Sequence, residues 1–202
     1  MSTAQLVVRT EGKILADTRV RFEPPPEALL LGVWVSGGWV NNLGALASPR
    51  GGAGLAVRRG FAGVELAVLV GMEGLVFSDT TEVPIDGTPQ AASRSVESVG
   101  IPFMVRGRFR LSRRFGVALG AGLVPMRVRS TLALSTQSAD ERVETVIGVR
   151  AQLHGDFKLG PGRLFVGAAY GRGALSGGVV VGQIEGVAVV GGYEWWFADF
   201  GW

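Results

Sequence analysis

The stretch VETVIGVRAQLHGDFKL, residues 143–159, decides the fold because its side chains alternate between two kinds. Its odd-numbered positions are nearly all apolar, whereas the even-numbered ones include Glu144, Arg150, His154 and Asp156. A repeat of two places successive side chains on opposite faces of an extended chain. The stretch is therefore predicted to be a long β-strand with one apolar face and one largely polar face.

The same alternation recurs along the chain, and turn residues separate its occurrences. The predicted strands are eight segments, at about 28–40, 51–58, 61–77, 96–111, 115–129, 143–159, 163–174 and 179–197. The predicted tight turns are 58–60, 112–114 and 160–162. The predicted longer connections are 41–50, 78–95, 130–142 and 175–178. Short turns at one end and longer loops at the other are typical of an all-β, up-and-down antiparallel barrel.

Composition narrows the classes of function. The 202 residues include no cysteine, which excludes disulfides, zinc thiolate sites and cysteine nucleophiles. The longest apolar run, residues 28–40, is too short for a membrane-spanning helix and is broken by Ser36 and three glycines. The net charge is only +3, and the basic residues fall at turns or at alternate strand positions. We therefore predict no nucleic-acid binding.

Residue sizes indicate which face of the barrel points inward. Around the turn at 112–114, the predicted register puts Arg106, Arg108 and Arg110 opposite Gly120, Ala118 and Gly116. Around the turn at 160–162, this register puts Arg150, Gln152 and His154 opposite Gly171, Ala169 and Gly167. Around the first turn, it puts Glu65 opposite Ala56. Long polar side chains that oppose Gly or Ala suit the fixed volume of a narrow barrel interior. The apolar face then points outward, as in a transmembrane barrel.

Charges inside such a barrel must be paired, because an unpaired buried charge costs several kcal/mol. We therefore predict a luminal cluster of salt bridges and hydrogen bonds, mostly towards the short turns. Its predicted members are Glu65, Arg106, Arg108, Arg110, Arg150, His154, Asp156 and Glu194. With eight strands the interior is filled by side chains, so we expect no open pore.

The chain ends on the aromatic segment GGYEWWFADFGW, residues 191–202. Rings also fall at outward positions near the predicted strand ends, as interfacial girdles do: Phe109, Phe115, Phe157, Trp39 and Tyr170. With this ending, residues 28–202 resemble the OmpA/OmpX-like eight-stranded outer-membrane barrels. The family's assembly signal matches at Gly192, Trp195 and Phe197, although Gly191 replaces the usual polar residue. Tyr193 and Trp202 complete the predicted girdle, and either Phe197 or Trp202 is expected to end the strand.

The resemblance implies a location in the bacterial outer membrane and insertion by the outer-membrane assembly machinery. The implied partners are the lipid bilayer, lipopolysaccharide and other subunits of a surface complex, with short turns facing the periplasm. Residues 27–202 are expected to form the barrel. Residues 1–26 are expected to form a β-hairpin and a stiff proline linker, the remnant of an upstream domain. Because residues 1–13 contain no secretory leader, the resemblance also implies a longer precursor.

The sequence offers no catalytic, metal or cofactor site. The only histidine, His154, has inward parity and lies far from the predicted outer rim. Acidic residues near the loops are expected to be solvated charges rather than cation ligands: Glu73, Asp79, Asp140 and Glu141. The leading hypothesis is a non-enzymatic membrane anchor or interaction module, as the membrane part of a larger surface assembly. The alternatives are a lipid-modifying enzyme of the outer membrane and a soluble lipocalin-like carrier.

Overall fold

A computed structural model describes most of the chain. The described ranges are 2–10, 13–22, 28–42, 47–61, 64–85, 88–134, 139–175 and 182–200. Within these ranges, no helix is long and apolar enough to cross a membrane. The strands are β1 (Ser2–Thr10), β2 (Lys13–Phe22), β3 (Leu29–Asn41), β4 (Ala47–Phe61), β5 (Val64–Ile85), β6 (Thr88–Gly100), β7 (Phe103–Arg110), β8 (Phe115–Leu134), β9 (Asp140–Leu159), β10 (Gly162–Arg172), β11 (Ala174–Leu175), β12 (Gly182–Gln183) and β13 (Val187–Phe200).

The central sheet closes on itself as a barrel. Every neighbouring pair is antiparallel, in the cyclic order β3, β4, β5, β6 with β7, β8, β9, β10 and β13, which returns to β3. Strands β6 and β7 both lie between β5 and β8 and act as one strand with an interruption at 101–102. The ring therefore has eight strands, as the alternation predicts. The predicted fold class, an all-β up-and-down transmembrane barrel, is confirmed.

Two further strand pairs are not part of the hydrogen-bonded ring. Strands β1 and β2 pair with each other in an antiparallel two-stranded sheet, and β11 pairs with β12. The proline run at 24–26 lies outside the described residues. The assignment of residues 1–26 to the remnant of a separate domain, with residues 27–202 as the barrel, stays a prediction.

The first hairpin turns later than predicted. Phe61 pairs with Val64, so the turn expected at 58–60 is wrong, and Glu65 lies opposite Gly60 rather than Ala56. Two consecutive arginines resemble a solvated turn in the sequence. In the barrel both belong to strand β4, and their side chains point to opposite faces. Arg58 points inward and bonds to Glu65, whereas Arg59 is exposed.

The loop expected at 78–95 is also wrong, because most of it is strand. Strands β5 and β6 continue as a hairpin from the pair Glu73–Gly100 to the pair Ile85–Thr88. The three threonines of this stretch, with Val83 and Ile85, favour extended backbone. Polar side chains occupy both faces of this stretch. The apolar–polar alternation of the other strands is therefore missing, and the sequence resembles a loop.

The last strand begins later and ends differently than predicted. It runs from Val187 rather than from 179, because the preceding residues form β12 and an inward-folded segment. It continues past Phe197 to Phe200, with a bulge between Trp196 and Ala198 that leaves Phe197 without a partner on β3. Phe197 therefore does not end the strand, and Trp202 lies outside the described residues.

The two faces of the barrel have the predicted polarity. The inner face carries buried charges such as Arg108 and Glu194, whereas the outer face is an apolar belt that runs around the whole ring. The side chains of this apolar belt include Val35, Trp39, Leu55, Val57, Phe61, Leu66, Val68, Val70, Met72, Val76, Val99, Ile101, Phe103, Val105, Phe109, Phe115, Leu119, Leu123, Val143, Ile147, Val149, Leu153, Leu159, Leu164, Val166, Tyr170, Val187, Val189, Trp195 and Phe197. In water this surface would favour aggregation, and in a bilayer it is matched to the lipid chains.

The predicted matching of long and small residues is confirmed in two hairpins. Arg106, Arg108 and Arg110 pair with Gly120, Ala118 and Gly116. Arg150, Gln152 and His154 pair with Gly171, Ala169 and Gly167. Side chains fill the interior: a cavity at the described loop end holds about 10 Å³, the room of about one water.

The outer face gives a prediction about charge and depth. Val105 lies in the middle of a spanning strand and is 59% exposed, whereas Leu111 beside the turn is 70% exposed. We expect Val105→Arg to lower the free energy of unfolding in bilayers by about 2–4 kcal/mol and Leu111→Arg by about 0–1 kcal/mol, because the cost of a lipid-facing charge depends on depth. Denaturant titration in lipid vesicles measures both. Equal losses of unfolding free energy at the two positions would contradict the placement of Val105 deeper in the bilayer than Leu111.

The inner face gives a prediction about volume. A Cβ on Gly167 would lie 2.1 Å from the Leu153 carbonyl oxygen and 2.5 Å from the His154 Cα, whereas a Cβ on Gly155 would meet no atom within 4 Å. We expect Gly167→Ala to cost about 1–3 kcal/mol because the backbone must shift. Gly155→Ala, one register step away on the neighbouring strand, is the matched control and should be near neutral. Similar unfolding midpoints for the two variants would contradict the packed interior.

Candidate functional site

The most unusual site in the barrel is its charged lumen. Ion pairs form two groups at different heights, which we name the short-turn cluster and the loop-end cluster. The short-turn cluster comprises Arg58, Glu65, Arg106, Arg108, Arg110, Asp156, Arg163 and Glu194. The loop-end cluster comprises Arg50, Glu73, Arg150 and Glu185.

Glu65 is the centre of the short-turn cluster. Its carboxylate accepts two hydrogen bonds from Arg163, at 2.6 and 2.9 Å. It also accepts one from Arg58 at 2.9 Å, one from Arg108 at 3.1 Å and one from Arg110 at 3.3 Å. These donors come from β4, β7 and β10, so a single carboxylate joins strands on several sides of the ring.

Two further pairs extend the short-turn cluster towards the middle of the barrel. Arg108 donates two parallel hydrogen bonds to Asp156, at 2.7 and 2.6 Å, in the bidentate geometry that is strongest for arginine and carboxylate. Arg106 donates to Glu194, and both side chains are buried. The cluster thus holds five arginines and three carboxylates, so its arginines outnumber its acids.

The histidine lies beside these pairs but belongs to none of them. His154 is 3% exposed, and its ring packs against Phe165 with the centroids 5.1 Å apart. Its Nδ1 has no hydrogen-bond partner among the described residues. The ring points into the packed lumen, where a membrane lipid has no access.

The loop-end cluster is centred on Arg150. Arg150 donates to both carboxylate oxygens of Glu73, at 2.6 and 2.5 Å, and also to Glu185. Glu185 accepts a further hydrogen bond from Arg50 at 2.8 Å. All four side chains are largely buried, so two acids and two arginines balance each other out of contact with bulk water.

Glu185 reaches this position because the chain before β13 folds into the barrel mouth. Ile184 and Glu185 are 1% and 2% exposed. The Ile184 amide donates to the Gly173 carbonyl at 3.0 Å, and the Asn42 side-chain amide donates to the Gln183 carbonyl at 2.8 Å. These bonds hold the segment 182–186 as a plug, which the sequence pattern placed inside a strand.

Apolar layers separate and cover the two clusters. Along the inner face of β5 the order is Glu65, then Ala67 and Leu69, then Glu73, then Leu75 and Phe77. The layer between the clusters contains Trp34, Ala56, Ala67, Leu69 and Met104, with Trp196 packed against it. The layer at the loop end contains Val40, Leu75, Phe77, Val96, Val124, Met126, Val128, Val146, Ala169, Leu175, Ile184 and Ala188. These layers exclude water from the ion pairs, so the pairing geometry matters energetically.

The predicted luminal residues do not form one group. Six of them belong to the short-turn cluster and His154 packs beside it, but Arg150 belongs to the loop-end cluster. Arg110 has an exposed side chain at the rim, 54% accessible, and reaches Glu65 from there.

Sequence reasoning missed five members of the two clusters: Arg50, Arg58, Glu73, Arg163 and Glu185. Parity could have found Arg163, which shares its face of β10 with Gly167, and Arg58 was misread as a turn residue. Glu73, expected to be a solvated loop charge, is instead bonded to Arg150. Glu185 lies outside any strand, so no periodicity points to it.

Three of the predicted girdle residues lie on the described part of the last strand. Trp195 and Phe197 are 51% and 56% exposed on the outer surface. The Tyr193 hydroxyl donates to the Leu159 carbonyl at 2.8 Å, which ties the last strand to the neighbouring turn. A Cβ on Gly192 would lie 2.1 Å from the Val35 carbonyl oxygen, so this position requires glycine.

The short-turn cluster gives a prediction about stability. Glu65→Gln removes the negative charge that four arginines share, which leaves buried guanidinium groups uncompensated. We expect the free energy of unfolding to fall by about 3–5 kcal/mol, as when one partner of a buried pair is removed. Asp79→Asn is the control, since its pair with Arg94 is exposed and such pairs contribute under about 1 kcal/mol. A Glu65→Gln barrel as stable as the Asp79→Asn barrel would contradict the central role of Glu65.

Comparison with known proteins gives structural likenesses. No protein-family model matches the chain, and no curated protein matches it. Neisserial surface protein A is 13% identical with a TM-score of 0.47, over 84% of this chain and 97% of its own. Ail, the attachment invasion locus protein of Yersinia pestis, solved with the heparin analogue sucrose octasulfate, is 13% identical with a TM-score of 0.43, over 85% and 99%.

The assignment of the fold rests on the strand pairing of this chain itself. Its ring is closed by antiparallel neighbours, its outer surface is apolar, and its lumen is filled by paired charges. In architecture the chain is therefore similar to the eight-stranded barrels of the OmpA/OmpX-like class.

Proposed function

We propose that this chain is an integral protein of the bacterial outer membrane that acts as a non-enzymatic anchor or interaction module. It forms the membrane part of a larger surface assembly, to which residues 1–26 connect it. The outer-membrane assembly machinery inserts it, and the lipid bilayer and lipopolysaccharide surround it. The assembly signal of this proposal comprises Gly192, Tyr193, Trp195, Phe197 and Trp202.

The observation that carries the proposal is the inside-out distribution of polarity. Large apolar side chains are exposed on all strands of the ring, whereas the lumen holds buried ion pairs. A soluble carrier needs the reverse arrangement and a cavity for its ligand. A barrel of this polarity is stable only where lipid covers its outer face.

The filled lumen favours an anchor over an enzyme or a channel. A lipid-modifying enzyme needs its reactive groups at the lipid surface, and His154 is buried in the lumen against Phe165. A channel needs a continuous water-filled path, and the plug at 182–186 fills the described mouth of the barrel with Ile184 and Glu185. What remains available for function is the outer rim and the segments that project from it.

The hairpin of β5 and β6 is the part best placed to contact a partner. Among the described residues, strand β4 pairs with β5 only as far as Leu75, and β8 pairs with β6 only as far as Ala92. Beyond these points the two strands pair with each other up to Ile85 and Thr88. The projecting part carries exposed polar residues such as Glu82, so it remains soluble outside the bilayer.

The experiment is expression of the chain behind a secretory leader, followed by membrane fractionation and gel migration. We expect the protein in the outer-membrane fraction, extractable only with detergent. Without heating it should migrate as a compact species and after boiling as a slower one, because a closed barrel resists detergent. A protein that stays soluble and monomeric without detergent would contradict the proposal. A changed mass of the host's outer-membrane lipid would favour the lipid-modifying enzyme instead.

A further inference from the structure

The short-turn rim of the barrel carries a compact group of cations without acidic partners. At the loop end, three arginines have acidic partners, Arg94 with Asp79, Arg129 with Glu141 and Arg142 with Glu144, whereas Arg127 and Arg172 are exposed and form no ion pair among the described residues. At the short-turn end, Arg113, Arg114 and Lys158 are exposed and form no ion pair within the part of the chain that the structure describes. This rim therefore carries an uncompensated positive charge.

The three cations lie close together because their backbones are joined. Arg113 and Arg114 occupy the turn between β7 and β8, and the Lys158 amide donates to the Arg114 carbonyl at 2.8 Å. Directly next to them, Phe115 and Phe157 form a ring pair with centroids 4.9 Å apart. The long side chains of arginine and lysine can reach out from this point to an anion at the membrane surface.

An apolar groove begins below this ring pair on the outer surface. Phe115 pairs with Phe157 across β8 and β9, and four residues further along β8 Leu119 pairs with Leu153. Between these layers, Gly155 leaves open space, since no atom lies within 4 Å of where its Cβ would be. The two leucines are 54% and 51% exposed, so the groove faces the surroundings of the barrel.

We propose that this patch, Arg113, Arg114 and Lys158 above the Gly155 groove, binds an anionic glycerophospholipid of the leaflet around the short turns. The three cations bind the headgroup phosphate, and an acyl chain lies in the groove against Phe115 and Phe157. The inference rests on the proposed function, since it needs the barrel to be in a bilayer. Charge alone would equally suit a soluble acid, but the adjoining exposed apolar groove favours a ligand with a hydrocarbon chain.

The test uses the full chain reconstituted in bilayers that contain equal amounts of phosphatidylglycerol and phosphatidylcholine. Native mass spectrometry after transfer to mild detergent measures which lipid stays bound to the barrel. We expect one retained phosphatidylglycerol, favoured about fivefold over phosphatidylcholine, the factor that roughly one basic residue near a membrane surface supplies. Excess inorganic phosphate should not displace it, since free phosphate has no acyl chain.

Three variants give the test its controls. The triple variant R113Q/R114Q/K158Q should lower the preference to about one, and the double variant R114Q/K158Q repeats the measurement with a smaller change. The matched control R94Q/R129Q/R142Q removes the same charge from the other rim and should keep the preference. Heat-modifiable migration verifies that each variant is folded.

The outcomes distinguish failure of the lipid-binding inference from failure of the proposed function. A wild-type barrel that inserts but retains both lipids equally overturns this inference and leaves the proposed function intact. So does a triple variant that keeps the preference, or displacement of the lipid by inorganic phosphate. A chain that does not insert overturns the proposed function and this inference with it.

Discussion

The ion pairs around Glu65 are the interaction on which the rest of the barrel depends. Closing a narrow ring removes every inward side chain from water, so each charge there needs a partner. Glu65 on β5 bonds to Arg163 on β10, a strand that is not its neighbour in the sheet. Such a bond across the lumen can form only when all strands are in register. Ring closure and charge pairing therefore stabilise each other.

The fixed width of the ring explains the sequence composition. An arginine on one strand needs room, which a glycine or alanine on the next strand provides, as with Arg106 and Gly120. A Cβ on Gly116 would come within 2.4 Å of the Arg108 guanidinium and displace it from Asp156. Glycines such as Gly116 and Gly167 thus serve packing within the described strands. The outer face has no such limit and carries large apolar side chains.

The layers of the lumen also determine where function can lie. Charged and apolar layers alternate from the short turns to the loop end, and Ile184 and Glu185 fill the mouth. A filled interior transmits strain and admits no ligand. Recognition is left to the surfaces, which are the projecting hairpin at one end and the cationic rim at the other. At the short-turn rim, Arg113, Arg114 and Lys158 are exposed and form no ion pair among the described residues, whereas at the loop end Arg129 and Arg142 have acidic partners.

The sequence by itself determined the fold class, the strand number and the parity of most inward residues, because side-chain direction in a strand repeats every two residues. It also gave the register of two hairpins, since their turns are short and specific. Only the tertiary structure decided that Arg150 pairs with Glu73, that Arg58 belongs to a strand and that Glu185 enters the lumen. The contacts of Arg150 with Glu73 and Glu185 join residues far apart in the chain, and alternation carries no information about which strands face each other across a closed ring.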